Sequence, residues 1–303
     1  MTSGEKRKIE EVLTGQAASD GAGVKLKRVF GGGDLSRFDP FLMLDEFGSN
    51  DASDYIAGFP SHPHRGFETV TYMLEGHMEH RDHMGNVGQL QPGDVQWMKA
   101  GSGVIHSEMP KQEEGRMRGF QLWVNLPAAE KMTPAEYSEL AAADIPRYRV
   151  DGAEVKAIAG RLVLNGEAVA GVLEQEQEKD RAEGADHGRS TEPGYIDVST
   201  TAAQTLNIGI PDGHTALVYV YEGEVQTAEQ RFALKSGQLA RLSRSGELEL
   251  VTAAGSRLLV LTGKPIGEPI VQRGPFVMNT AAEIQQAIRD FSEGRLVPDA
   301  EVA

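Results

Sequence analysis

Two pairs of potential metal ligands constrain how this chain can fold. His62 and His64 stand one residue apart in the segment Phe59–Glu68, and His106 and Glu108 stand one residue apart further along the chain. Residues i and i+2 of a β-strand point to the same face, so each pair offers two donors on one side of a sheet if its segment is extended. If the two faces meet, three imidazoles and one carboxylate converge on one point. The spacing therefore predicts a metal site between two strands.

The rest of the chain is punctuated by turn residues at short intervals. Its 35 glycines and 14 prolines are scattered along the whole length, as expected of many short strands joined by tight turns. Near the C-terminus, Ile284, Ile288 and Phe291 recur at the spacing of an amphipathic helix, which is predicted over residues 281–291. These patterns predict an all-β protein with a closing helix.

An internal repeat indicates that the β region is duplicated. Tyr72-Met-Leu-Glu-Gly76 resembles Tyr219-Val-Tyr-Glu-Gly223, and similarity at such a separation is the sequence signature of repeated units. The copies differ in chemistry, because His187 and His214 are the histidines that follow the second ligand pair. The second copy carries Arg and Ser residues near Ser243-Arg-Ser245 where ligands are expected. We therefore predict that it is free of metal.

Composition shifts place the expected boundaries. Residues 1–22 are expected to form a mobile leader, and residues 23–140 the metal-binding unit. Residues 141–303 are expected to form the second unit, which would include an acidic insertion at 166–192 and the closing helix. The insertion is predicted because its residues are highly charged and lack the turn-spaced strand pattern of their surroundings.

Composition also excludes several classes of function. The chain has no cysteine, which rules out disulfides, thiolate zinc sites and cysteine nucleophiles. A net charge of −15 argues against direct binding of nucleic acid, which requires a basic face. No apolar run reaches the length of about 18 residues that a membrane span needs, and the N-terminus lacks the apolar stretch of a secretory signal. The expected location is the cytoplasm.

The order of the candidate ligands resembles the pattern of cupins, which are small β-barrels. His62-Pro-His64, Glu68, the Pro92-Gly93 turn and His106 follow one another as in that superfamily. Longer segments closely resemble the pirin family in particular, at residues 39–47, 62–72, 96–98, 106–110 and 274–280. The likeness spans roughly residues 23–165 and 193–292. It implies two tandem cupin barrels, each a double-stranded β-helix, of which the N-terminal one binds a metal.

The fourth ligand is left open by the spacing alone. Counting by twos from His64 places Glu68 on the same face, so parity allows either Glu68 or Glu108. The pirin resemblance implies that Glu108 is the ligand, together with the three histidines, and that Glu68 lies beside the site. It also places His80, within His80-Arg-Asp82, close to the site or its pocket.

The donor set restricts the metal without fixing it. Three nitrogens and one oxygen with no thiolate suit iron, nickel, manganese or copper. The resemblance implies Fe(II), with nickel, manganese, copper and zinc as alternatives. Four protein ligands leave positions open for water, oxygen or substrate, as in catalytic rather than closed structural sites. A purely structural metal is the competing interpretation.

The pirin resemblance implies an oxidoreductase. The expected reaction is a metal-dependent dioxygenation that opens a flavonol such as quercetin with O₂ and releases carbon monoxide. Glu108 is the candidate base for the flavonol 3-hydroxyl. The alternative is a metal- or redox-responsive regulatory protein that binds a transcription factor or a metabolic enzyme. The acidic composition would favour a basic protein partner over bare DNA.

Overall fold

A computed structural model describes residues 4–174, 189–227 and 232–297. The chain is mostly β, as expected, and divides into two compact units. The unit that we call the N-terminal barrel comprises Gln16–Arg37, Phe41–Ala142 and Ile266–Ala303. The C-terminal barrel comprises the remaining segments, Met1–Gly15, Phe38–Pro40 and Ala143–Pro265.

The elements follow one another in short steps. The first half of the chain forms β1 (Ile9–Thr14), β2 (Gln16–Asp20), β3 (Val24–Gly31), a 3₁₀ turn (Leu35–Phe38), β4 (Phe41–Ser49), a second 3₁₀ turn (Ala52–Asp54), β5 (Phe59–His64), β6 (Phe67–Glu75), β7 (Met78–Asp82), β8 (Val87–Leu90), β9 (Val95–Lys99), β10 (Val104–Pro110), β11 (Met117–Asn125), β12 (Glu136–Leu140) and β13 (Arg147–Val150). The second half forms β14 (Ala153–Ala159), β15 (Arg161–Leu164), β16 (Glu167–Ala170), β17 (Gly194–Thr200), β18 (Gln204–Gly209), β19 (Thr215–Glu222), β20 (Glu224–Thr227), β21 (Ala233–Lys235), β22 (Gln238–Leu242), β23 (Leu248–Thr252), β24 (Arg257–Gly263), β25 (Val271–Arg273), β26 (Phe276–Met278) and helix α1 (Ala281–Ser292).

The N-terminal barrel is built from two antiparallel sheets. Seven strands pair in the order β12-β9-β6-β11-β4-β3-β2, and four pair in the order β5-β10-β7-β8. Met73, Met78, Leu90 and Met117 are buried in one core cluster that draws on both sheets. Antiparallel sheets that bury one face against each other give this two-sheet architecture. The four-stranded sheet carries both predicted ligand pairs, on β5 and β10.

The C-terminal barrel repeats the strand order. Its seven-stranded sheet runs β1-β22-β19-β24-β17-β14-β13, and its six-stranded sheet runs β16-β15-β18-β23-β20-β21. The repeated motif at Tyr72–Gly76 lies at the end of β6, and the motif at Tyr219–Gly223 lies at the end of β19. Each of these strands is third in its sheet and has equivalent neighbours. The sequence repeat therefore corresponds to a repeated fold.

The second copy fills its interior with aliphatic side chains. Counted from the repeated glycine and through the strand pairing, His106 and Glu108 on β10 correspond to Leu248 and Leu250 on β23. Both leucines are fully buried in the core of the C-terminal barrel. The expected correspondence with Ser243–Ser245 was wrong, because that segment lies in the connection before β23. Leucine side chains pack a core and cannot coordinate a metal.

The expected mobile leader is wrong from residue 9 onward, because Ile9–Thr14 is strand β1. It pairs with β22, and Ile9 and Val12 pack on the core of the C-terminal barrel. Just before it, the buried Arg7 guanidinium donates to backbone carbonyls, including those of Gly246 and Pro211. The mix of charged and apolar residues in this segment has no clear local period. Its partner strand lies more than two hundred residues away, so sequence neighbours could not reveal it.

Helix α1 belongs to the N-terminal barrel and not, as expected, to the C-terminal one. Ile284 and Ala287 form its buried face and pack against Phe276 of β26. Arg65, at the end of β5, donates to Asp290 of the helix at 2.7 Å. Thr280 begins the helix with a reciprocal capping box, an arrangement that satisfies two free N–H groups. Amphipathic spacing predicts that a helix has a buried face, but it does not identify the unit against which that face packs.

The expected insertion is also more structured at its start than the composition indicated. Within residues 166–192, Glu167–Ala170 forms β16 and pairs with β15. Residues 175–188 of the insertion lie outside the described residues. Among the described helices, none has the length and apolar composition that crossing a bilayer would require.

A buried lysine secures the turn between β5 and β6. The Nζ of Lys131 donates to the Gly66 carbonyl at 2.7 Å, to Asn125 Oδ1 at 2.6 Å and to the Val277 carbonyl at 3.1 Å. Its side chain is almost fully buried. Gly66 has φ +90°, and a Cβ there would collide with the Val277 carbonyl oxygen, so this position requires glycine. The lysine thus ties the end of β5 to β26.

Candidate metal centre

Strand pairing brings the two predicted ligand pairs together. β10 lies between β5 and β7, and His106 stands directly opposite His62 on one side and Asp82 on the other. Directly opposed residues of antiparallel strands project from the same face. His64 follows on β5, two residues along the same face. The predicted convergence of the two faces is confirmed for the three histidines.

The three imidazoles form a compact group. One ligand nitrogen from each of His62, His64 and His106 lies within 4.8 Å of the others, and the Nε2 atoms of His62 and His64 are 3.0 Å apart. Their ring centroids are separated by 4.4 to 4.9 Å. His64 and His106 are buried, and His62 is half-buried. Three nitrogen donors that converge in this way suit a single metal ion.

Each histidine is oriented through its other ring nitrogen. The Nδ1 of His62 lies 2.8 Å from the Pro60 carbonyl, and the Nδ1 of His64 lies 3.4 Å from the Pro275 carbonyl. The Nδ1 of His106 lies 3.3 Å from a ring nitrogen of His80. Hydrogen bonds at the second nitrogen fix the tautomer and ring direction of metal-binding histidines. They turn the Nε2 atoms toward a common point.

The buried nitrogen of His106 fits this interpretation. Its Nε2 has no hydrogen-bond partner among the described residues although it is fully buried, and buried polar atoms are nearly always satisfied. Burial lowers the pKa of both His64 and His106 well below the usual imidazole value, and the neighbouring imidazoles add to the shift. Both rings are therefore neutral near pH 7, which is the form that binds a metal. The donor set fits one ion.

Glu108 lies beside the histidine group but outside it. Its side chain is buried, and its Oε1 accepts a hydrogen bond from the Thr71 hydroxyl at 2.8 Å. The same hydroxyl oxygen lies 2.7 Å from the Gln121 side-chain oxygen. Glu108 lines the same cavity as His62 and His64. The carboxylate is thus positioned near the centre, with one of its oxygens held by a threonine.

Glu68 does not lie beside the site, in contrast to the expectation. Within β6 the pairing runs without irregularity from Glu68 to Tyr72, so alternate residues face opposite sides. Thr71 contacts Glu108, which places Glu68 on the other face of the strand. Parity counted from His64 fails because Gly66, with φ +90°, turns the chain between β5 and β6.

The expected proximity of His80 is confirmed, and Asp82 joins it. His80 is fully buried next to His106, and its Nε2 lies 3.3 Å from Asp82 Oδ2. Although burial alone would raise the pKa of Asp82, hydrogen bonds from His80 and Asn86 hold it below its usual value. The carboxylate is therefore ionised at neutral pH. Its role was not foreseen, yet the His-x-Asp spacing on one strand face was a readable signal.

A cavity of about 570 Å³ opens beside His62, His64 and Glu108. Its apolar lining is rich in aromatic and long side chains, namely Leu26, Met43, Phe47, Phe59 and Trp123. The other polar side chains on its wall are those of Asp20, Arg28, Asp45, Ser61, Gln121 and Gln272. Cavities that hold small molecules are concave and mostly apolar, with a few placed polar groups. This one has those properties.

One wall of the cavity carries an ion-pair network that sequence reasoning missed. Arg28 donates to both oxygens of Asp45, at 2.9 and 2.8 Å, and to Asp20 at 3.0 Å. The hydrogen bonds that Arg28 donates to Asp45 raise the pKa of Arg28 above its usual value despite its burial. Arg28 and Asp45 stand directly opposite on β3 and β4. A charge on each of two neighbouring strands was visible in the sequence, but the register was not.

Comparison with known proteins extends over nearly the whole chain. The family model for Pirin matches residues 23–124, and the model for the Pirin C-terminal cupin domain matches residues 195–297. A Pseudomonas aeruginosa protein provisionally named as a quercetin 2,3-dioxygenase is 53% identical, covering 96% of this chain and 98% of the relative. Human pirin is 36% identical, covering 96% and 94%. The crystal structure of quercetin 2,3-dioxygenase from Acinetobacter baumannii matches with a TM-score of 0.82 and 34% identity, covering 97% of this chain and all of that one.

Proposed function

This chain belongs to the pirin family, and on that premise we propose that it is a metal-dependent dioxygenase that opens a flavonol such as quercetin with O₂. The observation that carries the proposal is the group of three convergent imidazoles beside an aromatic-lined cavity. The names of the similar proteins from Pseudomonas aeruginosa and Acinetobacter baumannii support the same reaction.

The proposed ligands are His62, His64, His106 and Glu108. The expected ion is Fe(II), with nickel, manganese, copper and zinc as alternatives, since nitrogen and oxygen donors suit all of them. When bound, the ion supplies Lewis-acid polarisation of a substrate oxygen. The chain supplies the rest, namely the orientation of the substrate, the exclusion of water and the acceptance of a proton.

The cavity suits a flavonol in size and lining. Small-molecule sites typically enclose about 300–1,000 Å³, and this one encloses about 570 Å³. Phe59 and Trp123 offer faces against which fused aromatic rings can pack and shed water. The Arg28–Asp45 pair on the wall offers polar groups for the phenolic hydroxyls. The proposed orientation places the 3-hydroxyl of the flavonol toward the histidines.

Glu108 is the proposed base. One of its oxygens is held by Thr71. The other, which would hold the metal, would accept the proton of the flavonol 3-hydroxyl when the substrate enters. Removal of that proton makes the ring electron-rich, so that O₂ can oxidise it. Both oxygen atoms of O₂ enter the ring-opened ester, and one ring carbon leaves as carbon monoxide.

The proposal is tested by supplying quercetin to the metal-loaded protein under air. We expect the visible absorbance of quercetin to disappear and one carbon monoxide to be released for each molecule consumed. Protein stripped with a chelator and dialysed should leave quercetin intact. If the metal-loaded protein consumes no quercetin over hours, the regulatory alternative becomes the better account of this acidic chain.

Replacing Glu108 with glutamine tests the base. The amide keeps one oxygen, which can still bind the metal, but it cannot take up a proton as a carboxylate does, so kcat should fall about 100-fold, within the range typical of general-base catalysis. Metal content should stay near that of the unmodified protein. A matched control is Glu79→Gln, because Glu79 is a buried carboxylate on β7 that pairs with Arg81 and Lys111. Unchanged kcat in Glu108→Gln would refute the assignment.

A further inference from the structure

We propose that Asp82 and His80 form a hydrogen-bonded relay that fixes the tautomer of His106, so that its Nε2 presents a lone pair to the metal. The juxtaposition is a carboxylate, an imidazole and a second imidazole in line, at 3.3 Å and 3.3 Å. The inference rests on the metal site of the proposed function but not on its substrate. Both relay residues act through His106 and are positioning residues.

The pairing register of β7 and β10 brings Asp82, His80 and His106 close together. On β7 and β10, Asp82 stands opposite His106, and His80 stands opposite Glu108. Opposed and diagonal side chains on one face of an antiparallel pair are within reach of each other. His80 therefore lies diagonal to His106, and its ring centroid is 5.2 Å from that of His106.

The ring of His80 is fixed and can therefore determine the orientation of the hydrogen bond to His106. Its side chain is fully buried, and its ring stacks on Tyr137 with centroids 4.9 Å apart and an interplanar angle of 30°. Both ring nitrogens are engaged, Nδ1 with His106 and Nε2 with Asp82. A ring packed on one face and bonded at both nitrogens has one orientation.

Asp82 is a fixed acceptor at the start of the relay. Its Oδ1 accepts the backbone N–H groups of Met84 at 2.9 Å and Asn86 at 3.0 Å, and its Oδ2 accepts the Asn86 side-chain amide at 2.8 Å. The Asp82 side chain has no solvent exposure. An ionised carboxylate has no proton to give, so the contact with His80 requires a donor on the His80 side.

This requirement determines which nitrogen of His106 carries the proton. A neutral His80 that donates to Asp82 carries its proton on Nε2, and it therefore presents an unprotonated Nδ1 to His106. His106 must then carry its proton on Nδ1, and its buried Nε2 is left with a free lone pair. Each neutral imidazole has one donor and one acceptor nitrogen, so the state of one ring dictates that of the next.

His106 differs in this respect from the other two histidines. His62 and His64 direct Nδ1 toward the backbone carbonyls of Pro60 and Pro275. A backbone carbonyl is always an acceptor, so no substitution of a side chain can reverse those contacts. The tautomer of His106 depends instead on the chemistry of residue 82.

The test is Asp82→Asn, measured on the metal-free protein and by titration with Ni(II) against a competing chelator. The asparagine oxygen can still accept the N–H groups of Met84 and Asn86, while its amide group faces His80 as a donor. That reverses both imidazoles and moves the His106 proton to Nε2. We expect long-range ¹H–¹⁵N spectra to show the Nδ1–H form of His106 in the unmodified protein and the Nε2–H form in the variant. Ni(II) affinity should fall about 10- to 100-fold, as for other partners of metal-bound histidines.

Two further variants keep the result decisive. His80→Phe keeps a ring against Tyr137 but removes both nitrogens, so it should lower Ni(II) affinity without forcing the Nε2–H form. Asp94→Asn is the matched control, because Asp94 also accepts backbone N–H groups, those of Gln91 and Ala142. It should leave both measurements unchanged.

The relay is refuted if the unmodified protein already shows the Nε2–H form, or if Asp82→Asn changes neither the tautomer nor the Ni(II) affinity. Should Asp82→Asn fail to fold, His80→Phe with unaltered Ni(II) affinity would refute it equally. None of these measurements uses quercetin, so a failure of flavonol turnover would not affect the relay. A failure of the relay would likewise leave turnover to be judged by its own assay.

Discussion

Replacing His106 with alanine should abolish metal binding and quercetin turnover together. His106 is the central residue of the site, because β10 places it opposite both His62 and Asp82. Its loss leaves two nitrogens and a carboxylate that is held by Thr71. We expect the metal affinity to fall by about 1,000-fold or more, which corresponds to about 4 kcal/mol.

Elemental analysis of protein purified without added metal checks this result. The unmodified chain should carry close to one metal ion, and the variant close to none. His77→Ala is the matched control, because His77 is an exposed histidine on the neighbouring hairpin. A His106→Ala variant that kept its full metal content would show that the ion binds elsewhere and would remove the basis of the proposed function.

Replacing Lys131 with methionine should destabilise the N-terminal barrel strongly. The ammonium group serves three buried acceptors, the carbonyls of Gly66 and Val277 and the side-chain oxygen of Asn125. Methionine fills similar space but leaves these oxygens unsatisfied, and each buried unpaired group costs about 1–3 kcal/mol. At the lower end of that range for each of the three groups, the free energy of unfolding should fall by about 3 kcal/mol.

Urea unfolding followed by circular dichroism measures this change. Lys99→Met is the control, because Lys99 pairs with Glu136, which lies largely in solvent, and exposed pairs contribute less than about 1 kcal/mol. An equal effect of the two substitutions would mean that the Lys131 contacts add nothing beyond a surface ion pair. We also expect metal affinity to fall in Lys131→Met, since the lysine secures the turn that follows His64.

The group of three histidines could be predicted from the sequence because the pattern that relates them is local. Strand alternation alone relates His62 to His64, and it needs no knowledge of the fold. The meeting of β5 and β10 required a second inference, that the two faces belong to one sheet, and the pairing bears this out for His106 and His62. Local parity and a family resemblance together were sufficient for the three histidines.

The same counting failed where the chain turns. Glu68 is four residues after His64, and simple alternation puts both on one face. Gly66 adopts a left-handed conformation between them, and the strand that follows presents Glu68 to the opposite side. A glycine in the sequence signals that such a turn is allowed, but not how the chain emerges from it.

Contacts between distant parts of the chain were the other limit. Strand β1 pairs with β22, and the apolar face of α1 packs against β26. Hydrophobic spacing describes a face but does not name its partner. For this reason the expected division near residue 140 assigned two segments wrongly. Met1–Gly15 belongs to the C-terminal barrel and Ile266–Ala303 to the N-terminal barrel. The duplication itself was visible in the sequence.

The contribution of the C-terminal segment to the N-terminal barrel bears on how the protein is made. During synthesis the strands that carry the histidines leave the ribosome well before Pro275, which orients His64, and Asp290, which pairs with Arg65. The histidine group therefore lacks these two contacts on a nascent chain that has not yet reached Pro275 and Asp290. A chain that stopped before Pro275 would lack both the carbonyl that faces His64 Nδ1 and the carboxylate that pairs with Arg65.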